Sequence, residues 1–289
     1  MDKRIVNIEN ISGKLLLFGG VYSNYQALEQ LMQVALENGI EPENCICTGD
    51  IVGYCAQPQE TVALFRAWGA QSIAGNVELQ LADGAEDCGC DFIQGGRCDG
   101  FSKLWYPFAK SRLSKESIDW MANLPDHLTF NYAGKHFTVV HGSYTNTSQF
   151  VFDSTPAKIK KLSFKTAKTD AIIAGHSGLP FYQKIEDFAW INPGVIGMPA
   201  NDGTPKTWYV IMEEIKGRLT YSYKNLEYNH YKAHQLMIDE NLPQEYADTL
   251  LSGIWDNMEI LPHNEKQLQG IPYNFENTKE YSTINTLKD

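Results

Sequence analysis

The sequence places a carboxylate at the end of an apolar run. Residues 46–54 read ICTGDIVGY, so Asp50 follows Gly49 where a short strand-like segment stops. An ending of this kind puts a carboxylate at the C-terminal edge of a buried sheet, where the backbone turns and can approach a ligand. Asp50 is therefore a candidate metal ligand, with the alternative that a single Asp here caps a helix or a turn.

Three further polar side chains favour the metal interpretation. Asn76 opens the segment NVE after a glycine, His141 opens the segment HGS, and His176 lies in the segment GHSG. Each of them comes just after an apolar, strand-like run, as Asp50 does. Because loops that follow strand ends in such a fold converge on one face, we expect these side chains to lie near Asp50.

The elements that position these residues alternate between strand and helix at the start of the chain. Residues 14–18 are strand-like, and Asn24 can cap a helix whose apolar residues recur at helical spacing. Residues 45–51 form the next strand, so the order predicts a βαβ unit with a parallel pair. A second helix at 61–68 and a third strand at 71–74 follow.

The rest of the chain ends with strands in series and two helices. The composition of residues 79–100, rich in Gly, Asp and Cys, predicts a loop. The other predicted elements are helices at 101–113, 114–124, 231–240 and 243–258 and strands at 128–132, 136–140, 171–174, 189–191, 207–213 and 219–223. We expect a single domain over residues 1–289, with its core at 14–225 and C-terminal helices and a polar tail at 226–289.

Composition and charge narrow the function classes. A formal net charge of −11 argues against a protein that neutralises nucleic-acid phosphates, so no nucleic-acid partner is expected. The basic run at 158–168 is most simply a solvated helix face. No apolar run approaches a membrane span, and residues 1–12 lack the apolar core of a secretory signal. A soluble cytoplasmic protein without a membrane partner is therefore expected.

An ordered series of segments resembles the motifs of the calcineurin-like metallophosphoesterases. The segments are LLLFGGVYSNYQALEQL, TGDIVGY, AGNVE, VVHGS, AGHSGLPF and WINPGVIGMP, and the resemblance covers about residues 14–225. Each motif alone is weak, whereas the ordered set is specific. The resemblance implies an α/β fold, a four-layer α/β/β/α sandwich with two packed mixed β-sheets, whose site lies on loops at the C-terminal strand ends.

The same resemblance implies roles for the four polar residues. Members of the family usually bind two metal ions bridged by an Asp, which corresponds to Asp50 here. Asn76, His141 and His176 correspond to the remaining ligands of the second metal. One carboxylate, one amide oxygen and two imidazoles form a mixed set of oxygen and nitrogen ligands that suits Zn, Mn or Fe.

The chemistry implied by the resemblance is hydrolysis of a phosphoester. A divalent transition metal ion activates a water molecule, which attacks a phosphomonoester, phosphodiester or pyrophosphate of a small, soluble substrate. Asp50, His141 and His176 are the expected catalytic residues, because they tune the metal, and Asn76 supplies a ligand oxygen. The expected cofactor is one such ion.

The chain departs from the family's pattern at the first metal. Gly20 and Tyr22 stand where the first motif has an Asp and, two residues later, a His. Gly178 stands where the Gly-His-x-His motif has its second His. These changes remove three of the four ligands of that ion, so a mononuclear site is expected. Val77 replaces a His that assists the leaving group or contacts the phosphate, which leaves the role of proton donor without an occupant.

Four cysteines lie downstream of the Asp50 and Asn76 motifs. Cys55, Cys88, Cys90 and Cys98 can form a soft-metal or redox site that replaces the lost first-metal site. The alternative, which we favour, is a loop held by one disulfide or by packed thiols. The cysteines also support a second functional hypothesis, a non-catalytic metal-binding or redox-sensing protein on the same fold.

Overall fold

The computed structural model describes residues 3–9 and 11–275, together with the backbone of Ser282–Thr283. In these residues the strands are β1 (Ile5–Asn7), β2 (Leu15–Phe18), β3 (Cys45–Cys47), β4 (Gln71–Ser72), β5 (His127–Tyr132), β6 (Lys135–Val140), β7 (Ala171–Ala174), β8 (Phe181–Ile185), β9 (Phe188–Asn192), β10 (Thr207–Ile215), β11 (Arg218–Leu226) and β12 (Ser282–Thr283). The helices are α1 (Tyr25–Glu37), α2 (Pro58–Trp68), α3 (Asn76–Ala82), α4 (Arg97–Arg112), α5 (Lys115–Met121), α6 (Ala157–Ala167), α7 (His230–Asp239), α8 (Gln244–Ser252) and α9 (His263–Lys266), with a 3-10 turn at Pro42–Asn44.

The first βαβ unit forms as the sequence predicts. The side chain of Asn24 accepts a hydrogen bond from the amide of Ala27 at 3.1 Å and so caps α1. The flanking strands β2 and β3 pair in parallel, with Leu17 opposite Ile46. The predicted parallel pair is confirmed, and it delivers the chain to Asp50 just beyond the carboxyl end of β3.

The strands form two mixed sheets. Sheet I has the order β1-β5-β6-β7-β9-β8, and sheet II has the order β12-β11-β10-β2-β3-β4. Strands β6 and β7 are parallel neighbours in sheet I, and β2, β3 and β4 are parallel neighbours in sheet II. The loops that follow β3, β4, β6 and β7 therefore all leave the carboxyl ends of parallel strands.

The alternation of side chains along β2 separates two cores. Leu15 and Leu17 pack between the sheets, whereas Leu16 and Phe18 pack against the helices that cover sheet II. Full burial of a Leu or Phe side chain contributes roughly 1.5–3 kcal/mol. On the opposite side of the molecule, Phe164 of α6 packs on the outer face of sheet I. Helix, sheet, sheet and helix follow one another, which confirms the predicted four-layer α/β/β/α sandwich.

Several elements differ from the sequence-based prediction. Residues 79–100, predicted as a loop, contain most of α3 and the start of α4. The helix predicted over 243–258 ends at Ser252, because Gly253 adopts the left-handed conformation (φ 69°) that terminates α8. Strands β1 and β8 are not predicted, since neither shows the buried alternating pattern of a core strand.

Lys160 corrects the prediction of a solvated basic face. This side chain of α6 is fully buried, whereas Lys158, Lys161 and Lys165 on the same helix are exposed. Its Nζ donates hydrogen bonds to the carbonyl oxygen of Asp153 at 2.9 Å and to Oε1 of Gln183 at 2.6 Å. Burial lowers the pKa of Lys160 to about 8. The periodicity of the run identifies the helix but not the one lysine that turns inward.

The C-terminal region is described in part. In the described residues, no helix combines the length and the apolar character that crossing a membrane requires. The predicted polar tail contains α9, and Ser282–Thr283 pairs with β11 in an antiparallel arrangement. Residues 276–281 and 284–289 of that tail lie outside the described residues.

Candidate metal centre

Three side chains of ligand type converge at the carboxyl ends of the parallel strands. The ligand atoms of Asp50, His141 and His176 all lie within 4.8 Å of one another, and all three side chains are buried. They follow β3, β6 and β7, while Asn76 follows β4 as the first residue of α3. The structure thus brings together the residues that the sequence motifs single out. No other group of three or more His, Cys, Asp or Glu ligand atoms meets at this spacing in the described residues.

His141 occupies the middle of this group. Its Nε2 lies 3.0 Å from Oδ1 of Asn76, 3.0 Å from Nδ1 of His176 and 3.2 Å from Oδ2 of Asp50. Its other ring nitrogen, Nδ1, lies 2.6 Å from the carbonyl oxygen of Thr48. Because a carbonyl can only accept, Nδ1 carries the hydrogen, and Nε2 of the neutral ring presents a lone pair to the centre.

The side chain of Asn76 is oriented by the loop that contains two of the cysteines. Its Nδ2 donates to the carbonyl oxygen of Cys88 at 2.8 Å and lies 3.2 Å from Sγ of Cys90. Since the carbonyl of Cys88 requires a donor, the amide nitrogen must face it. The Oδ1 atom of Asn76 therefore points toward His141 and the other ligand atoms.

The donor set fits a cation. The Nε2 lone pair of His141 faces Oδ1 of Asn76 and a carboxylate oxygen of Asp50, neither of which has a hydrogen to donate. Lone-pair atoms that face one another at this distance repel unless a metal ion, or a proton on Nε2 of His141, lies among them. Two oxygen atoms and two imidazoles with this burial are a ligand set suited to a transition metal ion.

The backbone around Asp50 is packed so closely that its neighbour in space, Gly75, leaves no room for a side chain. Asp50 adopts a left-handed conformation (φ 57°), which Asp tolerates better than most residues with a side chain. A Cβ atom at Gly75 would lie only 2.1 Å from Oδ1 of Asp50. The same Oδ1 accepts a hydrogen bond from the amide of Val77 at 3.3 Å. Asp50, at the end of its strand as predicted, thus packs against the start of α3.

Glu78 is a site residue that the motif analysis misses. One carboxylate oxygen, Oε2, accepts hydrogen bonds from the amides of Asp50 and Gly75, both at 2.8 Å. The other, Oε1, accepts from the amide of Val52 at 3.2 Å. The available signal is an acidic residue three positions after a glycine that opens a helix, the spacing of a capping box. Glu78 ties the loop after β3 to the loop after β4.

Burial and mutual charge set the protonation of the centre. Burial raises the pKa of Asp50, but His141 and then His176 lower it by a larger amount together. The pKa of Asp50 is therefore below its usual value. For His141, burial lowers the pKa, but Asp50 raises it above the usual value. Burial and the neighbouring His141 lower the pKa of His176 to about 3. At neutral pH Asp50 is ionised and His176 is neutral, which is the state in which each residue binds a metal.

Aromatic side chains occupy the surroundings of the missing first-metal ligands. A Cβ atom at Gly20 would lie 2.4 Å from the ring of Tyr22, so that ring fills the space a longer residue would need. A Cβ atom at Gly178 would lie 3.9 Å from the ring of Trp255, and Gly178 is left-handed at φ 73°. Val77 is buried.

The four candidate cysteines do not assemble into one ligand set in the described residues. The Sγ atom of Cys55 lies 3.8 Å from the carbonyl oxygen of Gly197, and that of Cys98 donates to Asn257 at 3.2 Å. Cys88 and Cys90 contact each other and Asn76. All six cysteines are free thiols. The four thiols have different neighbours in the described residues, so the combined site stays a prediction that this arrangement does not support, and packed thiols remain the alternative.

A cavity of about 90 Å³ adjoins the centre. Asp50 and His176 lie in its wall, together with Trp255 and Asn257 from the segment after α8. Extending α8 through this segment, as the sequence-based prediction does, misses these wall residues. The signal that identifies them is Gly253, because a glycine is the residue that most often ends a helix in the left-handed conformation.

Comparison with known sequences agrees with the resemblance seen in the motifs. Residues 14–216 match the model of the calcineurin-like phosphoesterase superfamily domain. The uncharacterized protein MJ0912 of Methanocaldococcus jannaschii is 26% identical over 260 residues, which cover 84% of this chain and 99% of that protein. The predicted family is confirmed, and metal binding is typical of its members.

Solved structures share the same architecture. The hypothetical protein PH1004 from Pyrococcus horikoshii OT3 aligns with a TM-score of 0.69 and 18% identity, covering 84% of this chain and 99% of that one. A metallophosphoesterase from Sphaerobacter thermophilus aligns with a TM-score of 0.65 and 23% identity, covering 84% of this chain and 100% of that one. At these identities the likeness shows the fold.

Proposed function

Because the chain belongs to the calcineurin-like phosphoesterase superfamily, we propose that it is a metal-dependent phosphoesterase acting on a phosphomonoester, phosphodiester or pyrophosphate of a small, soluble substrate. The observation that carries this proposal is the convergence of lone-pair atoms at His141. Its Nε2 lies 3.0 Å from Asn76 and 3.2 Å from Asp50, in a buried centre that adjoins a cavity.

We assign one divalent transition metal ion to this centre, with Zn, Mn and Fe as the candidates. The ligands would be Asp50, Asn76, His141 and His176. A bound ion of this kind lowers the pKa of a water molecule toward neutrality and neutralises charge on phosphoryl oxygens. A mononuclear centre is supported by the ring of Tyr22, which occupies the space beside Gly20.

The protein's own residues set the orientation and charge of the ligand atoms. The carbonyl of Thr48 holds the proton of His141 on Nδ1, and the carbonyl of Cys88 turns the oxygen of Asn76 inward. Val77 has no proton to offer a leaving group. Hydrolysis should therefore depend steeply on the pKa of the leaving group. A series of aryl phosphodiesters measures this dependence, and a flat profile would contradict it.

Replacing His176 with Ala tests the proposal. We expect one metal ion per wild-type chain, measured by elemental analysis of untagged protein, and loss of that ion in the variant. Hydrolysis of bis(p-nitrophenyl) phosphate should fall to the background rate. His263→Ala, which removes an exposed imidazole, is the matched control and should keep both properties. An unchanged rate in purified His176→Ala protein would sink the proposal.

One observation favours a second candidate, a non-catalytic metal-binding or redox-sensing protein. The amide of Asn76 contacts both Cys88 and Cys90, so a change in the thiols would reach a proposed metal ligand. Under this candidate the wild-type protein binds metal without turnover, and Cys88→Ser with Cys90→Ser changes its metal affinity. Unchanged metal affinity in that double variant would remove the support for this candidate.

We also propose that the protein acts in the cytoplasm without a nucleic-acid partner. The net charge of −11 supports the second part, because phosphate neutralisation requires clustered cations. The free state of the six cysteines suits a reducing compartment. Fractionation of the source cells and a binding assay with labelled DNA and RNA at low salt test the two parts separately.

A further inference from the structure

Resting on the proposed phosphoesterase, we propose that its substrate carries an uncharged aromatic group and that this group binds in the cavity beside the metal centre. Asp50 and His176 form one part of the cavity wall, so an occupant would lie next to the phosphoryl group held at the centre. The cavity has a volume of about 90 Å³, so we infer that its occupant is a small group.

Six aromatic side chains contribute to the cavity wall. The aromatic lining residues are Tyr22, Tyr54, Phe92, Phe150, Tyr246 and Trp255. Rings of this kind prefer offset-stacked or edge-to-face contacts with another ring. Removal of apolar and aromatic surface from water favours an occupant that is itself apolar.

The rings already hold one another in place. Phe150 stacks on His176 with centroids 4.4 Å apart, and Phe92 stacks near Phe150 at 6.3 Å. Tyr22 and Tyr54 form an edge-to-face pair with centroids 4.7 Å apart and an interplanar angle of 79°. A wall fixed in this way is ordered before the substrate arrives, which reduces the entropy lost on binding.

The charge of the wall disfavours a polyanionic substrate. No Lys or Arg lies among the described residues that line the cavity, whereas Asp50 and Asp256 do. The guanidinium of Arg97 pairs with the lining residue Asp256 and with Glu245, so the charge of this neighbouring cation is already matched. Recognition of a chain of phosphates relies on Arg or Lys, and this site offers neither. A phosphate ester with a neutral organic group fits the wall better.

The vacated first-metal position contributes to this cavity. Tyr22 and Gly178, which replace two ligands of the family's pattern, both line it. The same wall receives Trp255 from the segment after α8. The residues that replace the first-metal ligands thus leave room for aromatic side chains beside the centre. This arrangement connects the loss of those ligands with the aromatic substrate group that we propose.

Two esters that share a leaving group test the inference. Phenyl p-nitrophenyl phosphate and methyl p-nitrophenyl phosphate both release p-nitrophenolate, and the group that stays on phosphorus, phenyl or methyl, is the one assigned to the cavity. For the metal-loaded protein we expect kcat/KM for the phenyl ester to exceed that for the methyl ester by at least about tenfold, after correction for the uncatalysed rates. Faster hydrolysis of ATP than of the phenyl ester would overturn the inference.

Substitutions at two neighbouring residues test whether the preference for the phenyl ester arises in the cavity. Phe92→Ala removes a half-buried ring of the wall, and the phenyl-to-methyl ratio should fall toward one. Ile93→Ala removes an exposed side chain that does not line the cavity, and this control should keep the wild-type ratio. A ratio that is equal in both variants and the wild type would assign the preference to another part of the protein and overturn the inference.

A binding measurement separates this inference from the proposed activity. Calorimetry compares phenylphosphonate with methylphosphonate on the metal-loaded protein, and we expect the phenyl compound to bind at least about tenfold more tightly. Equal affinities overturn the aromatic site whether or not the protein turns over. A clear phenyl preference without hydrolysis of either ester would reject the phosphoesterase and retain the site.

Discussion

Glu78 joins the two loops from which the metal centre is built. Its carboxylate accepts hydrogen bonds from the amides of Asp50, Val52 and Gly75. Burial, and then the charge of Asp50, raises the pKa of Glu78 to about 7, and the amides partly offset both effects. A buried carboxylate whose partners are backbone amides holds the backbone in place and is not itself a metal ligand. The position of Asp50 therefore depends on a residue outside the ligand set.

We expect Glu78→Gln to weaken metal binding about 10- to 100-fold, the range typical of residues that orient metal ligands. The amide keeps the size of the side chain but turns a donor toward backbone amides that need an acceptor. Competition with a fluorescent chelator measures the dissociation constant. Glu116→Gln, at a side chain that is 78% exposed, is the control. Equal affinities in the two variants would contradict this role.

His127 predicts a pH dependence of stability. Burial, and then Lys3, lowers its pKa from 6.5 to about 4. Between these two values the unfolded chain binds more protons than the folded chain, so stability rises with pH. The contribution of the neutral imidazole is complete above pH 6.5 and is lost as the pH falls toward 4.

Replacing His127 with Gln should flatten this dependence. We expect the difference in free energy of unfolding between wild type and variant to change by up to about 3 kcal/mol across that pH window. Urea unfolding at several pH values measures it. His263→Gln serves as the exposed control. A difference that stays constant with pH would show that another group titrates.

The candidate metal ligands were accessible to sequence reasoning for a physical reason. Asp50, Asn76, His141 and His176 each follow a strand, and parallel strands bring their carboxyl ends to one edge. The cavity rings have no such signal. Phe150 and Trp255, for example, lie more than a hundred residues apart and meet only through tertiary packing.

At the scale of elements, the segment after α8 decides the shape of the site. Gly253 ends α8 in a left-handed conformation, and the chain then crosses the cavity with Trp255 and Asn257 in its wall. The indole Nε1 of Trp255 donates to the carbonyl of Pro199 at 2.8 Å, which fixes its ring. A helix that continued through these residues would remove this wall.

We expect Gly253→Ala to lower the free energy of unfolding by about 2 kcal/mol or more. The new Cβ atom would lie 2.2 Å from backbone of Thr204, and a left-handed alanine is strained. Gly217→Ala isolates the strain, because Gly217 is left-handed at φ 74° with nothing within 4 Å. Urea unfolding of both variants measures the difference. Equal losses would mean that the contact with Thr204 is unimportant.

Element prediction succeeded where local rules agree with packing. The α1 helix has a capping Asn24 and an apolar face, and both signals mark its start and its buried side. Helix α3 is short and begins at the candidate ligand Asn76, so its first residues are interpreted as a site motif and not as a helix. The Gly- and Asp-rich composition that follows leads to the prediction of a loop over the rest of α3. Residues 243–258 retain helical spacing past Gly253, so a prediction from periodicity alone makes this helix too long.

At the scale of the whole molecule, both sheets share one core. Leu17 and Ile46 of sheet II pack in the same cluster as Phe130 and Ile173 of sheet I. We therefore propose that residues 1–289 form a single domain and expect one thermal transition. Far-UV circular dichroism and tryptophan fluorescence should give coincident curves. Two separated transitions would instead indicate that the C-terminal helices unfold on their own.

The proposed metal ion should stabilise the whole fold. Binding to the folded state alone adds about 2.7 kcal/mol to the free energy of unfolding when free metal is at one hundred times the dissociation constant. The midpoint of thermal unfolding should rise when Zn or Mn is added to chelator-treated protein. His141→Ala should show no such rise. An equal rise in the variant would place the bound ion elsewhere.

The ring of Tyr22 also constrains the order in which substitutions can accumulate. An acidic residue introduced at Gly20 would meet that ring at 2.4 Å, so Gly20→Asp alone should destabilise the protein rather than restore a ligand. Tyr22→His is the permissive step, because it clears the space and His tolerates the left-handed backbone at φ 52°. The two ligands at positions 20 and 22 can therefore be regained in one mutational order and not in the reverse. Expression and unfolding midpoints of both single variants and the double variant would reveal this epistasis.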